Sequence, residues 1–178
     1  MQLTIGQKVA YPNQGVCLVE EVKKRIIGES SLMGYILRVL GDNSTIFVPT
    51  DNAESVGIRP LITSHQCRKL AAALGADFEA ADCDWKQRSR EFNEKLHSGD
   101  IFEAADVFKK LTLLSFEKRL SFREQTLLDK ARFLVVSELS NASKKGHISC
   151  EREVCRLVDS ACQKHRDAHP TALSAAIH

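Results

Sequence analysis

The fold is decided between residues 45 and 74, where the sequence reads TIFVPTDNAESVGIRPLITSHQCRKLAAAL and changes from one periodicity to another. Its first five residues are rich in β-branched and aromatic types, which favour strands. Near its end, Thr63-Ser64-His65-Gln66 matches a capping box, and apolar residues at helical spacing follow it up to Gly75. The change predicts a β domain before residue 60 and a helical domain after it.

Further strand patterns precede residue 45, and turn residues separate them. Strands are predicted over residues 9–11, 16–27 and 35–40, and a short last strand is predicted around Gly57. Pro12-Asn13-Gln14-Gly15 and Gly41-Asp42-Asn43-Ser44 supply turns. A sheet of four or five short strands has to curl to bury its one apolar face, so we expect a small β-barrel.

The region after residue 63 predicts four to five helices. After the first helix come Trp85 to His97, residues 101–119 capped by Asp100, a long helix that opens at Ser121, and a final helix over residues 150–165 capped by Ser149. The fold class is therefore α+β. We expect a barrel domain over residues 1–60, a compact all-helical domain over 61–168, and a disordered tail over 169–178.

The composition is that of an ordinary globular protein, with 43% hydrophobic and 27% charged residues among 178. No apolar run is long enough to span a bilayer, and the first residues lack the features of a signal peptide. We therefore expect an intracellular protein without a membrane partner. The net charge is only +2, so any phosphate-binding surface has to be a local patch.

Enzyme and metal signatures are missing from the sequence. It has no phosphate-binding Gly-rich loop, no Gly-x-Ser-x-Gly and no His-Glu-x-x-His, which predicts a non-enzymatic protein without a cofactor. The six cysteines include no Cys-x-x-Cys pair. Cys155, Cys162, His165 and His169 would share one helix face, but structural zinc usually takes ligands from two segments. A buried cysteine beside surface histidines is the preferred interpretation, and no metal site is predicted.

The only tryptophan, Trp85, allows two interpretations. It follows Asp82-Cys83-Asp84, of which Asp84 is the expected helix cap, and precedes the cations Lys86, Arg88 and Arg90. A Trp at the first turn of a helix usually packs against a neighbouring helix, and the local sequence alone favours this interpretation. Alternatively, the indole stacks on bases or wedges between them while the cations neutralise phosphates.

Several motifs occur together, in one order, along roughly residues 1–160. The first domain opens with Gly6-Gln7-Lys8-Val9-Ala10-Tyr11-Pro12-Asn13-Gln14-Gly15-Val16 and closes with Val48-Pro49-x-x-Asn52-Ala53-x-x-Val56-Gly57-x-Arg59. The second contains Trp85 with its basic residues, then Glu94-Lys95-Leu96-x-Ser98-Gly99-Asp100 and Lys118-Arg119-Leu120-Ser121. Together they resemble the CarD/CdnL family of bacterial transcription regulators. The first domain alone is also similar to the polymerase-binding domain of transcription-repair coupling factor.

The resemblance implies a Tudor-like (SH3-like) barrel that binds the β subunit of RNA polymerase. It also implies a helical domain that contacts promoter DNA in the minor groove, with weak sequence preference, at the upstream edge of the transcription bubble. There the Trp wedges into the groove, and the open complex lives longer. The implied DNA-binding residues are Trp85, Lys86, Arg88, Arg90, Lys130 and Arg132.

For the polymerase interface, the resemblance implies a strand edge with Arg25, Ile46, Phe47 and Pro49, where Phe47 stands at a position that is often Arg. We expect a cytoplasmic, nucleoid-associated protein that is a monomer when free. The alternative is a protein–protein adaptor without DNA contact, in which Trp85 belongs to the core. With the resemblance, nucleic-acid contact becomes the preferred interpretation of Trp85.

Overall fold

The computed structural model describes residues 2–170 and begins with an antiparallel sheet of five strands in the order β4-β3-β2-β1-β5. Their side chains enclose a small core that includes Val9, Val19 and Leu37. This confirms the α+β class and the Tudor-like sheet domain. The strands are β1 (Lys8–Tyr11), β2 (Gly15–Ile27), β3 (Ser30–Val39), β4 (Thr45–Pro49) and β5 (Arg59–Pro60), with one 3-10 turn at Thr50–Asn52.

The last strand differs from its prediction. It consists of Arg59 and Pro60, whereas Val56 and Ile58 lie outside it, in and after a turn. Gly57 has a φ of +80° in that turn, far from the extended backbone of a regular strand. The β-branched residues on either side of Gly57 favour a strand locally, but the backbone turns between them, so the predicted strand does not form there.

The hairpin of β2 and β3 extends beyond the sheet core. A β-bulge between Val19 and Glu21 shifts the register, and the two strands stay paired as far as Ile27 and Ser30. Bulges bend a strand and increase its twist. Beyond the bulge, apolar residues become exposed; these are Val22, Ile26, Leu32 and Met33.

Five helices follow, as predicted. Thr63 and Ser121 each form a capping box at the start of a helix, and Asp84 and Asp100 cap the second and third helices. No helix within residues 2–170 combines the length and hydropathy of a membrane-spanning segment. The helices are α1 (Ser64–Gly75), α2 (Trp85–His97), α3 (Ile101–Glu117), α4 (Phe122–Ser143) and α5 (His147–Ala168).

The start of the final helix was predicted wrongly. α5 begins at His147 after Gly146, so Ser149 lies inside the helix and does not cap it. Lys144 adopts the left-handed conformation that ends α4, and the link to α5 is therefore only a few residues long. Of the predicted tail, residues 171–178 lie outside the described residues.

A partly buried ion pair joins the two domains. Arg59 of β5 donates from Nη2 to Glu138 Oε2 of α4 at 2.8 Å and to the Gly99 carbonyl at 2.8 Å. The Ile62 backbone N–H donates to the other carboxylate oxygen at 3.1 Å. Gly99 has a φ of +79°, and a Cβ there would lie 2.9 Å from Pro12 Cγ. Only glycine fits this junction without strain.

An aromatic contact supports the same junction. Phe133 of α4 lies against the turns that flank the sheet, where a Cβ on Gly41 would come within 2.6 Å of its ring and one on Gly15 within 3.0 Å. Nearby, Lys8 Nζ donates to Asn141 Oδ1 at 2.9 Å. Sheet and helices are thus joined through α4, which also carries part of the candidate site.

Candidate nucleic-acid interface

The start of α2 presents Trp85 to solvent. Asp84 Oδ1 accepts a hydrogen bond from the Lys86 N–H at 3.0 Å, and Asp82 Oδ1 accepts one from the Asp84 N–H at 2.8 Å. The caps make Trp85 the first helical residue, and its side chain is 54% exposed, whereas Phe92 and Leu96 supply the buried face of α2. The interpretation of Trp85 as a core residue is therefore wrong.

Arg88 is a buried structural cation, contrary to its expected place on the surface. It is 4% exposed, and its Nη2 donates to Glu124 Oε1 of α4 at 2.8 Å. Its Nη1 donates to the Asp82 and Cys83 carbonyls. The guanidinium thus ties the segment before Trp85 to both helices, and it positions the indole instead of offering a free charge to phosphate.

Glu124 completes this arrangement on α4. Its carboxylate accepts from the Ser121 N–H at 2.9 Å, from Arg88, and from Lys118 Nζ at 3.3 Å. Burial by itself would raise the pKa of this carboxyl, but the hydrogen bonds from Ser121 and Arg88 outweigh burial and lower the pKa from 4.5 to about 2. Glu124 is therefore ionised, and the pair with Arg88 is fully charged near neutral pH.

An apolar cleft of about 740 Å³ opens beside this pair, between the starts of α2 and α4. Phe122 forms its outer wall and is 87% exposed, as the first residue of α4 after the Ser121 cap. We call this space the Trp85–Phe122 cleft. It is lined by Trp85, Arg88, Ser89, Phe92, Lys118, Ser121, Phe122, Arg123, Glu124 and Leu127.

Sequence reasoning missed Phe122 and Glu124 as site residues. Both were visible only as parts of a capping box. Trp85 and Phe122 each follow directly after a capping residue, Asp84 and Ser121. That position alone does not predict an exposed ring, because Ile101 follows the Asp100 cap in the same way and is buried.

Two of the predicted DNA-binding cations remain on the surface near Trp85. Lys86 is exposed, and so is Arg90, whose Nε donates to Glu94 Oε1 at 2.9 Å. Exposed pairs of this kind contribute little stability, so Arg90 can exchange Glu94 for a phosphate at low cost. These two residues stay candidates for backbone contacts.

Lys130 and Arg132 do not line the Trp85–Phe122 cleft. Lys130 Nζ lies 6.0 Å from the ring centroid of Phe133, towards the sheet, and burial lowers its pKa while Asp42 opposes that change. Arg132 is turned the other way and contacts Asp129 at 3.1 Å and Glu151 at 3.9 Å. Lys130 and Arg132 therefore point to different sides of α4, and neither lines the cleft together with Trp85.

The charge pattern of the sequence predicts that Lys109, Lys110 and Lys118 lie on a solvated face and pair with nearby acidic residues. Lys118 is exposed and contacts Glu124, as predicted. Lys110 contacts Asp106 at 3.0 Å, but its side chain is only 12% exposed, so this pair is not the solvated one expected. For Lys109 the expectation is wrong, since it is buried and donates to the Ala73 and Ala76 carbonyls at 2.7 Å each. It caps the end of α1, and burial lowers its pKa.

The exposed hairpin brings together three of the four predicted polymerase-binding residues. The Arg25 guanidinium lies 4.8 Å from the ring centroid of Phe47, whose ring covers Gly34, and Gly34 pairs with Pro49. Arg25, Phe47 and Pro49 thus share the outer face of the sheet. Ile46 pairs with Leu37 and packs against the core on the opposite face, so its side chain is separated from the other three.

The cysteine–histidine arrangement on α5 is engaged within the fold. Cys162 Sγ donates to the Lys109 carbonyl at 3.6 Å, and burial raises the pKa of its thiol to about 12. His165 Nδ1 lies 3.1 Å from Asp77 Oδ1, and its ring stacks on Phe78. Within residues 2–170, no three His, Cys, Asp or Glu side chains are grouped so as to hold a metal ion.

Comparison with known families covers both domains. Residues 3–62 match the CarD-like/TRCF RID domain, an RNA polymerase-interacting domain, and residues 69–154 match the CarD C-terminal domain. The chain belongs to the CarD/CdnL family. The chain contains both domains of that family in order, and it is therefore a regulator of transcription.

Two individual proteins are similar to this chain or to part of it. The chain is 29% identical over 135 residues to YdeB of Bacillus subtilis (strain 168), named as a candidate transcription factor, over 76% of this chain and 88% of that protein. It is also similar to the solution NMR structure of the 72-residue N-terminal domain of Myxococcus xanthus CarD. That match has 32% identity and a TM-score of 0.29, and it covers 33% of this chain and 79% of the other.

Proposed function

We propose that this CarD/CdnL-family protein is a non-enzymatic regulator of transcription initiation that uses its two ends on two partners. The sheet docks on the β subunit of RNA polymerase, and Trp85 enters the minor groove of promoter DNA at the upstream edge of the bubble. The open complex then lives longer. The observation that carries the proposal is that Trp85 is 54% exposed on a helix start that the buried Arg88 clamps in place.

Preorganisation favours a wedge at this position. Arg88 bonds the backbone before Trp85 and the carboxylate of Glu124, so the indole is presented without first ordering a loop. Unstacking a base step costs a few kcal/mol, but at the edge of a bubble melting has already supplied part of this energy. Trp85 is therefore better suited to keep a base step unstacked after melting than to unstack a base step of closed duplex.

Cations beside the indole provide the grip on the DNA backbone. Lys86 and Arg90 are exposed on the first turns of α2 and can each approach a phosphate. Such contacts position a protein on DNA without reading sequence, which agrees with a weak sequence preference. Because the net charge is only +2, affinity for free DNA is modest, and tethering to polymerase supplies the effective concentration.

For the polymerase contact, the outer face and free edge of the sheet offer a coherent surface. β4 is an end strand of the sheet, so the backbone groups on its outer side are available to a strand of a partner. Beside it, Arg25 lies over Phe47, which combines an apolar ring with a positive charge. We propose Arg25, Phe47 and Pro49 as the contacting side chains, and the backbone of β4 as the docking edge.

The test is the lifetime of a promoter open complex in the presence of native protein and of Trp85→Ala. Loss of the wedge should shorten the lifetime about tenfold, equivalent to about 1.4 kcal/mol. Phe116→Ala is the matched control, because Phe116 is an exposed aromatic of the helical domain that does not line the cleft. Equal lifetimes for native protein and Trp85→Ala would refute the proposal.

A further inference from the structure

The wedge proposed above uses only the indole of Trp85 and leaves the rest of the Trp85–Phe122 cleft without a role. We infer that this cleft holds one unpaired nucleobase of single-stranded DNA, seated between Trp85 and Phe122 with its phosphates at Lys118 and Arg123. The inference rests on the proposed function and names the part of the DNA that this surface takes.

Two exposed aromatic rings on one cleft suit the faces of a base. Phe122 is 87% exposed and Trp85 is 54% exposed, although both rings would gain by removal from water. Their helices are held together by the pair of Arg88 and Glu124, so the two helix starts that carry the rings are positioned before any ligand arrives. Aromatic platforms bind single strands in this way, because every base has a face to stack.

The charge of the lining suits a nucleic acid. Its ionisable residues are three cations, Arg88, Lys118 and Arg123, and a single carboxylate, Glu124. That carboxylate is already bound by Arg88 and Lys118, so its negative charge is compensated within the protein. The lining therefore has a net charge of +2, as large as that of the whole chain. Lys118 and Arg123 are exposed and can follow the strand as it leaves the cleft.

Size and polarity favour one base over a duplex. The cleft measures about 740 Å³, within the range of pockets that take small ligands and too small for a double helix. Its floor contains the buried Phe92 and the half-buried Ser89, whose hydroxyl can bond a base edge. In a duplex the faces of the bases are stacked and unavailable. A base that the wedge has displaced offers a free face beside Trp85 itself.

Binding of the full chain to two labelled DNAs of equal length tests the inference. One DNA is a complete duplex. The other, called the forked DNA, is a duplex that ends in unpaired thymines. Both are titrated at low salt. Because Trp85 is the only tryptophan, quenching of its fluorescence reports directly on the cleft. Native protein should prefer the forked DNA and show quenching with it.

The decisive variants change Phe122. Phe122→Ala should weaken binding to the forked DNA about fivefold or more, the lower limit for loss of one base–aromatic stack, and change duplex binding less than twofold. Phe122→Leu, which keeps an apolar side chain without a ring face, should behave like Phe122→Ala. Phe116→Ala should leave both affinities unchanged. Circular dichroism melting of each variant checks that it is folded.

Several results would overturn the inference. These are no measurable binding or preference for forked DNA, unchanged affinity in Phe122→Ala, or equal weakening on both DNAs. Self-association in sedimentation that Phe122→Ala abolishes would assign the cleft to a second copy of the chain. If Trp85→Ala shortens the open-complex lifetime but Phe122→Ala leaves binding to forked DNA unchanged, only the cleft assignment fails. If Trp85→Ala has no effect on that lifetime, the proposed function itself fails.

Discussion

Arg25 and Arg88 were both predicted as binding residues, and the structure gives them opposite surroundings. Arg25 is exposed on the hairpin and lies over the ring of Phe47. Arg88 is buried and bonds Glu124 and two backbone carbonyls. An exposed cation can contact a partner without losing strong interactions in the free protein. The N–H groups of a buried cation already donate hydrogen bonds within the fold. The difference separates a residue that can bind from a residue that positions another.

The largest effect is expected where the buried arginine is removed. Arg88→Met leaves the Glu124 carboxylate without its main cation and should lower the free energy of unfolding by about 3 kcal/mol. Arg25→Met should lower it by less than about 0.5 kcal/mol, because its surroundings are open to water. Urea unfolding of both variants measures the two values. Similar losses in the two variants would mean that the contrast in burial has no energetic consequence.

The pH dependence of stability sharpens the contrast further. The folded-state pKa of Glu124, about 2, lies below its ordinary 4.5, so its contribution is complete above about pH 4.5. As the pH falls from 4.5 towards 2, that contribution is lost, by roughly 1–2 kcal/mol. Glu124→Gln should therefore lose less stability than native protein between pH 5 and pH 3. Parallel curves for the two proteins would contradict the assigned role of Glu124.

The smallest effect is expected at the exposed arginine, and it concerns binding. Arg25→Glu should weaken association with the RNA polymerase β subunit about fivefold, roughly 1 kcal/mol, because one exposed charge is reversed. Lys24→Glu is the matched control, since neighbouring residues of a strand point to opposite faces. Surface-plasmon measurements on both variants test this contact. An equal loss for Lys24→Glu would indicate a nonspecific effect of charge.

Local features of the site could be predicted from the sequence. The cap at Asp84, the start of α2 at Trp85 and the capping box at Ser121 all depend on residues within a few positions of one another. The burial of Arg88 could not be predicted, because its partner Glu124 lies 36 residues away on another helix. The same reason explains the failure at Lys109, whose acceptors at the end of α1 are 33 and 36 residues away.

The sequence by itself determined the change from strands to helices near residue 60, most helix starts, and an aromatic residue at the head of two helices. Those features follow from backbone propensity and from hydrogen bonds between near neighbours. Only the tertiary structure decided that Trp85 and Phe122 face one cleft, that Arg88 is buried beneath them, and that Ile46 turns away from Arg25. Burial depends on which distant elements pack together, and a short-range pattern does not contain that information.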